Sequence, residues 1–380
     1  MGIPLLLLAM ALVILLWQDA TDKAMRALRE RLGQPHDPRG QRIAQAGTWT
    51  VIGLILFFLL APASWYTPAP PPPAPLPQVA TWTEDSLWTG ADTARLTFLD
   101  DADSSLIRYG RELIVNTAAF LGTQGSVAAL TNGMNCQNCH LDAGTKPWGN
   151  NYGAVWSTYP KFRARSGGLE SLEKRVNDCM ERSLNGTALD SSSREMRAIV
   201  AYMQWLGTGI RKEQKPKGSG IVELAYMDRA ADPAKGAEVF TTKCASCHGN
   251  DGQGILKADG ITYQYPPLWG PHSYNQGAGL FRLSRFAGYV KANMPQGASW
   301  ERPQLTDEEA WDVAAYVNAQ PRPTKDLSTD WPDIAKKPVD HPFGPYKDPY
   351  SEQQHKFGPF GPIAAFYRLS ETKSRSAGKP

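Results

Sequence analysis

The clearest pattern of hydrophobic positions is a pair of long apolar runs near the N-terminus, over residues 3–17 and 50–65. Each run is close to roughly 17 residues, the shortest length at which a helix crosses a bilayer. Between the runs, six basic residues outnumber four acidic ones, and this excess favours a cytoplasmic position for residues 18–47. We therefore predict two transmembrane helices that form a membrane anchor over residues 1–66, with the rest of the chain on the outer face.

Two other interpretations of these runs are weaker. A buried core helix needs a hydrophobic core to receive it, and no neighbouring segment has the pattern of one. A cleaved signal peptide has basic residues before its apolar stretch and small residues at its cleavage site, but the first run lacks both. Residues 67–80 follow as a proline-rich linker, and the sequence TPAPPPPAPLPQ over residues 67–78 is typical of a stiff polyproline spacer.

Beyond the linker, stretches with helical periodicity recur in the same order. One over residues 104–120 and one over residues 233–242 each precede a short segment with two cysteines. Helices over residues 195–202 and 309–316 follow these segments, and each ends in a tyrosine. The chain after the linker is therefore predicted to be mainly α-helical and to contain two similar domains.

The repeated cysteine segments have the pattern C-x-x-C-H. This is the attachment motif of c-type haem, in which two thiols bind the porphyrin and the histidine ligates the iron. A single motif also fits a redox-active cysteine pair or half of a zinc site. Two copies in a chain predicted to lie outside the cytoplasm, where this haem is attached, favour two covalently attached haem c groups. The predicted attachment residues are Cys136, Cys139, Cys244 and Cys247, and the predicted proximal iron ligands are His140 and His248.

A helix, a haem motif and a closing helix form the plan of class I cytochrome c. The predicted fold is thus mainly α, with two class I cytochrome c-like haem domains in tandem after the transmembrane helices and the linker. The first domain is placed at residues 81–212 and the second at residues 229–325. Residues 213–228 join them, and residues 326–380 are predicted to form an irregular tail that wraps both domains.

Composition narrows the class of protein further. The chain has 380 residues, and 40 Lys and Arg against 37 Asp and Glu give a net charge of +3. Such a weak excess excludes binding to nucleic acid by bulk charge. The five cysteines are an odd number, which disfavours a disulfide framework.

Each haem iron takes a second axial ligand or keeps an open position. For the second haem, Met294 is the only methionine after Cys244, and the proline that follows it prevents a helix from continuing. His272 and Lys291 are the alternatives. For the first haem, the cysteine outside both motifs, Cys179, is the candidate ligand, and a free buried thiol is the alternative.

The methionines after the first motif are weaker candidates. Met196 and Met203 fall on the closing helix, where a place in the core is expected, and Met180 directly follows Cys179. A thiolate ligand depresses the potential of a haem relative to a His/Met pair. Electrons are therefore predicted to pass from the first haem to the second.

The helix predicted over residues 169–184, which ends at Asn185-Gly186, has a basic face around Cys179. Spacing on a helix places Arg175, Cys179, Arg182 and Ser183 on one face, and Arg163 and Arg165 come shortly before it. Guanidinium groups around a thiolate suit a small oxyanion. The alternative is a solvated arginine face that pairs with Glu170, Glu173 and Glu181.

This segment resembles a known family. Residues 175–186, RVNDCMERSLNG, are similar to the signature of the dihaem thiosulfate dehydrogenases. Further similar stretches are NCHLDAGT at 138–145, PPLWG at 266–270, KANMP at 291–295, KPVD at 337–340 and FGPF at 357–360. The resemblance extends over roughly residues 90–362, most of the chain after the linker.

Enzymes of this family join two thiosulfate ions into tetrathionate and release two electrons, and some run better in reverse. The resemblance implies that the first haem is catalytic and is ligated by His140 and Cys179. The second haem, on His248, passes electrons to an acceptor. The resemblance also implies that the residues that hold the anion are Arg163, Arg175, Arg182 and Ser183.

The chain departs from the family in two respects. Some relatives have a lysine ligand directly before the methionine, but Asn293 stands here, so His/Met ligation is expected in both redox states. The predicted anchor places the haem domains on the periplasmic side of the bacterial inner membrane. We therefore expect a periplasmic cytochrome or a membrane redox complex as electron partner. A membrane-anchored dihaem electron-transfer subunit without sulfur chemistry, and a haem-based sensor, are the alternative functions.

Overall fold

A computed structural model describes the backbone of residues 2–33, 35, 38–60, 87–88 and 102–377. Within these segments, side chains are not described for residues 2–11, 40–41, 44, 55–56, 58–60, 102 and 370–377. The predicted linker over residues 67–80 lies outside the described residues. The chain divides into two compact units, residues 1–78 and residues 79–380.

The N-terminal unit consists of α1 (Gly2–Arg31) and α2 (Pro38–Leu60), which contact each other. Helix α1 continues through the basic segment, where Lys23 pairs with Asp19 one turn earlier at 2.7 Å. The prediction of a loop over residues 18–47 is therefore wrong for most of its length, because this segment is rich in residues that favour helix.

The predicted membrane spans lack support from the structure. No helix is both long and apolar enough to cross a membrane among the residues that the structure describes. Residues 3–11, which make up most of the first apolar run, have no described side chains.

The larger unit is mainly helical, as the sequence predicts. Its helices, in chain order, are α3 (Ala102–Val115), α4 (Thr117–Leu121), α5 (Leu141–Gly144), α6 (Val155–Thr158), α7 (Leu172–Arg182), α8 (Arg194–Leu206), α9 (Pro233–Lys243), α10 (Ala245–His248), α11 (Leu283–Asn293), α12 (Asp307–Ala319), α13 (Glu352–Phe357) and α14 (Phe360–Ala377). Short 3₁₀ helices cover Cys136–Asn138, Gly279–Phe281 and Ile334–Lys336. The strands are β1 (Lys161–Arg163), β2 (Gly168–Glu170), β3 (Ile255–Leu256) and β4 (Tyr263–Tyr265), which form two antiparallel hairpins, β1–β2 and β3–β4.

The same helix crossing builds both hydrophobic cores. In the first core α3 packs on α8, and in the second core α9 packs on α12. A glycine stands at each crossing: a Cβ added at Gly110 would lie 2.0 Å from the carbonyl oxygen of Ala198, and one at Gly236 would lie 2.0 Å from that of Asp312. Because no side chain fits at these points, the two helix pairs approach at backbone distance. The repeat predicted from the sequence is thus a repeat of the packing as well.

Capping residues explain where three of the four crossing helices begin, and the predicted bounds of these three helices are close to the observed ones. Ser193 caps α8 and Asp232 caps α9 by accepting hydrogen bonds from main-chain N–H groups of the first turn. Thr306 and Glu309 form a reciprocal capping box at the start of α12. The predicted helix over residues 104–120 is instead interrupted at Asn116, so that α3 and α4 are separate.

Two predicted elements differ from the structure. The helix predicted from residue 169 begins at residue 172, because the Ser171 hydroxyl caps it and Leu169 pairs with Phe162 in the β1–β2 hairpin. The tail over residues 326–380 is not irregular throughout, since it includes α13 and α14. Ser351 caps α13, and Ile363 of α14 is fully buried against the second core.

The tail is attached to both cores by buried contacts. The Arg182 guanidinium on α7 donates two hydrogen bonds of 2.8 Å to the Asp330 carboxylate of the tail. The Arg282 guanidinium at the start of α11 pairs with the buried Asp340 at 2.6 Å. The wrapping position predicted for the tail therefore rests on two ion pairs and on the apolar face of α14.

Removal of one partner of the Arg182–Asp330 pair leaves a charge buried, since the two side chains are only 11% and 7% exposed. We predict that Asp330→Ala lowers the free energy of unfolding by about 3 kcal/mol. The matched control is Glu223→Ala, whose carboxylate is 79% exposed in its ion pair with Arg285, and we expect a loss below about 1 kcal/mol there. Chemical denaturation followed by far-UV circular dichroism measures both. Equal losses in the two variants would contradict a tail held by this pair.

Candidate active site

The first haem motif forms a tight turn on the wall of a cavity. Cys136–Asn138 is a 3₁₀ turn, and the side chain and main chain of Asn135 and Asn138 bond each other reciprocally around it. The Cys136 main-chain N–H donates to the Thr117 hydroxyl at 3.0 Å, which attaches the turn to α4. Cys136, Cys139 and His140 thereby all line one solvent-connected cavity with an empty volume of about 900 Å³.

The His140 ring is oriented from both sides. Its Nδ1 lies 2.5 Å from the Asn150 carbonyl oxygen, and the ring stacks on Tyr152 with 4.5 Å between centroids. A carbonyl oxygen only accepts, so Nδ1 donates the proton, and Nε2 keeps the lone pair that a metal binds. Burial lowers the pKa of His140 to about 4, which keeps the imidazole neutral.

The second motif repeats this arrangement around a larger solvent-connected cavity, whose empty volume including open solvent is about 1870 Å³. Cys244, Cys247 and His248 line it. Here the His248 Nδ1 bonds the Pro266 carbonyl oxygen at 2.9 Å, and burial again lowers the pKa of the histidine.

Helix α7 forms another part of the wall of the first cavity. Arg175, Cys179 and Ser183 are spaced by one turn each, and all three line the cavity together with His140. Attraction to the Cys179 sulfur is the largest cause that raises the pKa of Arg175, against the opposing effect of burial. The shared face predicted from the sequence therefore brings a guanidinium, a sulfur and a hydroxyl to one surface.

Two other predicted anion ligands are placed differently. Arg182 is bonded to Asp330 and does not reach the cavity wall, so the structure gives it a structural position instead of the predicted one. Helical spacing alone could not show this, because its partner lies 148 residues further along the chain. Arg163 on β1 lies 3.9 Å from the Glu170 carboxylate across the hairpin, also outside the wall.

Sequence reasoning missed some residues of the first site. Tyr152 and Tyr159 line the cavity, and no motif singles them out. The acceptor for His140 is a main-chain carbonyl, which leaves no side-chain signal at Asn150. Arg165, which the sequence analysis grouped with this basic face, lies outside the cavity wall, and its pKa falls to about 10 because it is buried and because Arg182 and Arg175 are also cationic.

The methionines of the first domain occupy the core, as expected for two of them. Met180, Met196 and Met203 are all buried, although Met180 and Met203 also contribute to the cavity wall.

The candidate distal ligands of the second haem are separated by their contacts. Met294 lines the second cavity. Lys291 instead donates to the Leu305 carbonyl oxygen at 2.7 Å and pairs with Asp307 at 2.6 Å. His272 is exposed and is not part of the cavity wall. The geometry thus favours Met294 over both alternatives.

The two cavities share part of their walls. Asn135 and Cys139 line both of them, although both residues belong to the first domain. Tyr289 on α11, a wall residue of the second cavity, donates its hydroxyl proton to the Asn138 carbonyl oxygen at 3.1 Å. The first haem motif therefore lies between the two cavities.

Comparison with known proteins supports the same division of the chain. Residues 126–211 match the cytochrome c domain of the SoxA/TsdA family, and residues 233–320 match cytochrome c. Thiosulfate dehydrogenase of Allochromatium vinosum is 42% identical over 228 residues, which cover 59% of this chain and 81% of that protein. The chain belongs to the thiosulfate dehydrogenase family. The family resemblance recognised in the sequence is thereby confirmed.

Other members of the thiosulfate dehydrogenase family agree. The enzyme of Stutzerimonas stutzeri is 36% identical over 59% of this chain and 69% of its own length. A solved structure titled thiosulfate dehydrogenase (TsdBA), from Marichromatium purpuratum, superposes with a TM-score of 0.56 at 27% identity. The match covers 76% of this chain but only 58% of that one.

The residues of this thiosulfate dehydrogenase family member fit two covalently attached haem c groups. In each cavity two thiols and one neutral imidazole project from a single short turn. Burial raises the pKa of Cys136 to about 11 and that of Cys139 to about 12, so both are neutral thiols before attachment. His140 and His248 would hold the irons through Nε2. Two domains of this kind in tandem confirm the predicted cofactor and the predicted tandem of cytochrome c-like domains, whereas the transmembrane helices of the predicted fold class have no support among the residues that the structure describes.

Proposed function

We propose that the protein interconverts thiosulfate and tetrathionate at the first cavity. The observation that carries the proposal is the joint position of Arg175, Cys179 and Ser183 on the wall that also contains His140. In the second cavity, Met294 is the sulfur-containing candidate ligand in place of Cys179. Among the described wall residues, α11 contributes no arginine or serine comparable to Arg175 and Ser183. The role of the second cavity is electron transfer.

The chemistry needs little from the protein beyond binding and charge. Two thiosulfate dianions lose one electron each, their sulfane sulfurs form one S–S bond, no other bond breaks, and tetrathionate results. The haem groups would supply one-electron acceptors, one for each electron released. Repulsion between two dianions opposes the coupling, so cationic side chains at the meeting point lower the barrier.

Each wall residue has a distinct role in this proposal. Arg175 binds sulfonate oxygens through its guanidinium, which offers several donors in one plane. The Ser183 hydroxyl donates a further hydrogen bond to the anion. Cys179 would ligate the first iron together with His140 and would bring its sulfur close to the sulfane sulfur of the substrate. Apolar neighbours such as Leu172 and Val176 line the same cavity and strengthen these charge interactions by excluding water.

We further propose that electrons pass from the first haem to the second. The position of Cys139 in the walls of both cavities supports this route, since the motif that attaches the first haem also borders the site of the second. A thiolate ligand on the first iron and a thioether on the second set the direction. A periplasmic cytochrome or a membrane redox complex then accepts the electrons.

Anaerobic turnover tests the proposed reaction and the role of Cys179. Anaerobic mixing of the oxidised protein with thiosulfate should reduce the haem groups and form tetrathionate, and the reduced protein with tetrathionate should show the reverse. Cys179→Ala should lower turnover by about 10²-fold or more, with the second haem spectrum unchanged. Full turnover by this variant would refute the role of Cys179. Reaction in neither direction by the unmodified protein would leave the electron-transfer subunit as the function.

A charge-removing substitution tests whether the Arg175 guanidinium binds the anionic substrate. Arg175→Gln removes charge-assisted hydrogen bonds worth about 1.5–3 kcal/mol, so kcat/KM for thiosulfate should fall about 10- to 100-fold. The matched control on the same helix is Lys174→Gln, because Lys174 is exposed and pairs with Asp178 away from the cavity. Its kcat/KM should change less than about threefold. Equal effects of the two substitutions would contradict a specific anion site.

We also propose that the haem domains lie on the periplasmic side of the bacterial inner membrane, anchored through residues 1–66. The support comes from the sequence: the two apolar runs, the basic segment between them, and motifs whose haem is attached outside the cytoplasm. We expect protease added to spheroplasts to digest the haem-stained domain, and alkaline carbonate to leave the full chain in the membrane fraction. Extraction by carbonate would refute the anchor, and protection from the protease would refute the periplasmic position.

A further inference from the structure

The loop that follows the first haem motif is bonded to the helix end that precedes Met294. We call residues 138–150 the proximal loop, because it runs from the motif to Asn150, the acceptor of His140. The partner segment, residues 289–298, comprises the last turns of α11 and the residues around Met294. The bonds that join them are Tyr289 hydroxyl to Asn138 carbonyl oxygen at 3.1 Å, Asn293 Nδ2 to Trp148 carbonyl oxygen at 3.0 Å, and Lys146 Nζ to Ala298 carbonyl oxygen at 3.3 Å.

Asn293 is an unusual residue for packing alone. It is 2% exposed, and its Nδ2 also donates to the Tyr289 carbonyl oxygen one turn earlier at 2.9 Å. Its Oδ1 is buried without a hydrogen-bond partner among the described residues. An apolar side chain of the same shape would avoid that cost. The bond to Trp148 is therefore the specific contribution of this amide.

The proximal loop has a constrained backbone where this bond is made. Trp148 and Asn150 have positive φ angles of 58° and 57°, which are uncommon for residues with a side chain. Their N–H groups donate to the carbonyl oxygens of Gly218 and Gly220 at 2.7 and 2.8 Å. Such a conformation persists only when several contacts enforce it. The Asn293 bond is one of these contacts, and it lies two residues from the carbonyl that orients His140.

We propose that Asn293 and Tyr289 are positioning residues shared by the two haem sites. Asn293 fixes the backbone next to Met294. Through its bond to Trp148 it also fixes the part of the proximal loop that contains the Asn150 carbonyl, which accepts the hydrogen bond from His140. Tyr289 fixes the other end of that loop at the motif itself. The inference rests on the haem ligands His140 and Met294 but not on the sulfur chemistry, so it goes beyond the proposed reaction.

The proposal predicts linked changes at two separate haem groups. In Asn293→Leu, the volume is nearly kept but both donors are lost. The second haem should lose the charge-transfer band of a methionine-ligated ferric haem, since Met294 is less well held. The first haem should become easier to reduce, because a weaker bond from His140 Nδ1 makes the imidazole a poorer donor. At a fixed potential, its ratio of reduced to oxidised form should rise at least threefold in a spectroscopic titration.

Asn318→Leu is the matched control. Asn318 is also buried, at 5% exposed, and its Nδ2 also donates to two carbonyl oxygens, those of Leu280 and Phe281. Its Oδ1 accepts from the Tyr274 hydroxyl, and none of these side-chain bonds reaches the proximal loop or residues 289–298. Its loss should therefore lower stability without removing the methionine band or shifting the first-haem potential. An unchanged charge-transfer band and an unchanged first-haem potential in Asn293→Leu would overturn the proposal. Equal shifts of both signals in Asn318→Leu would overturn it as well.

A milder variant keeps the test decisive if Asn293→Leu does not fold. Tyr289→Phe removes only the hydroxyl that donates to Asn138. It should shift the first-haem potential in the same direction and leave the methionine band of the second haem intact. An unchanged first-haem potential in Tyr289→Phe would refute the positioning role of Tyr289. These readouts are spectroscopic, so they remain valid for a protein that does not turn over thiosulfate.

Discussion

The hydrogen bond from each motif histidine to a main-chain carbonyl is the constraint on which the site depends. It settles which ring nitrogen is protonated and therefore which one can bind iron, and it sets the plane of the imidazole. In both domains the acceptor lies in a loop after the motif, at Asn150 and at Pro266. The close helix crossings at Gly110 and Gly236 build the cores of the same two domains.

The two cavities share this histidine arrangement but differ in the helix that contributes another part of the wall, which is α7 in the first cavity and α11 in the second. Helix α7 and its C-terminal end give the first cavity Arg175, Cys179 and Ser183, whereas α11 gives the second cavity largely apolar or amide side chains and is followed by Met294. A cationic wall favours an anionic substrate. A thiolate ligand would lower the potential of the first haem, and a thioether ligand would give the second haem a higher potential. A duplicated fold can therefore divide binding and electron transfer between its copies through one helix in each.

The sequence predicted what local chemistry determines. The spacing of the C-x-x-C-H motifs, the periodicity of the crossing helices and the spacing of Arg175, Cys179 and Ser183 are local properties, and the structure agrees with them. It could not predict that Arg182 leaves this face, because the Asp330 carboxylate that attracts it is distant in the chain. Nor could it predict the β1–β2 hairpin, since Leu169 fits a helical pattern until Ser171 caps α7. The acceptors of the histidines are backbone atoms, which no residue type reveals.

The proximal loop shows why the two haem domains cannot be treated as structurally independent. Pattern analysis divides the chain into two repeats, but the first core also includes Tyr274, Ala278 and Phe281 of the second domain. The wall of the second cavity in turn includes Asn135 and Cys139 of the first domain. A residue that borders both cavities is subject to the packing requirements of both, and so is the loop attached to it. The Asn293 side-chain amide donates one hydrogen bond to its own helix and one to a carbonyl oxygen of the first domain. It is therefore constrained by the packing of both domains. The backbone segment that orients His140 is thus held by contacts from both copies.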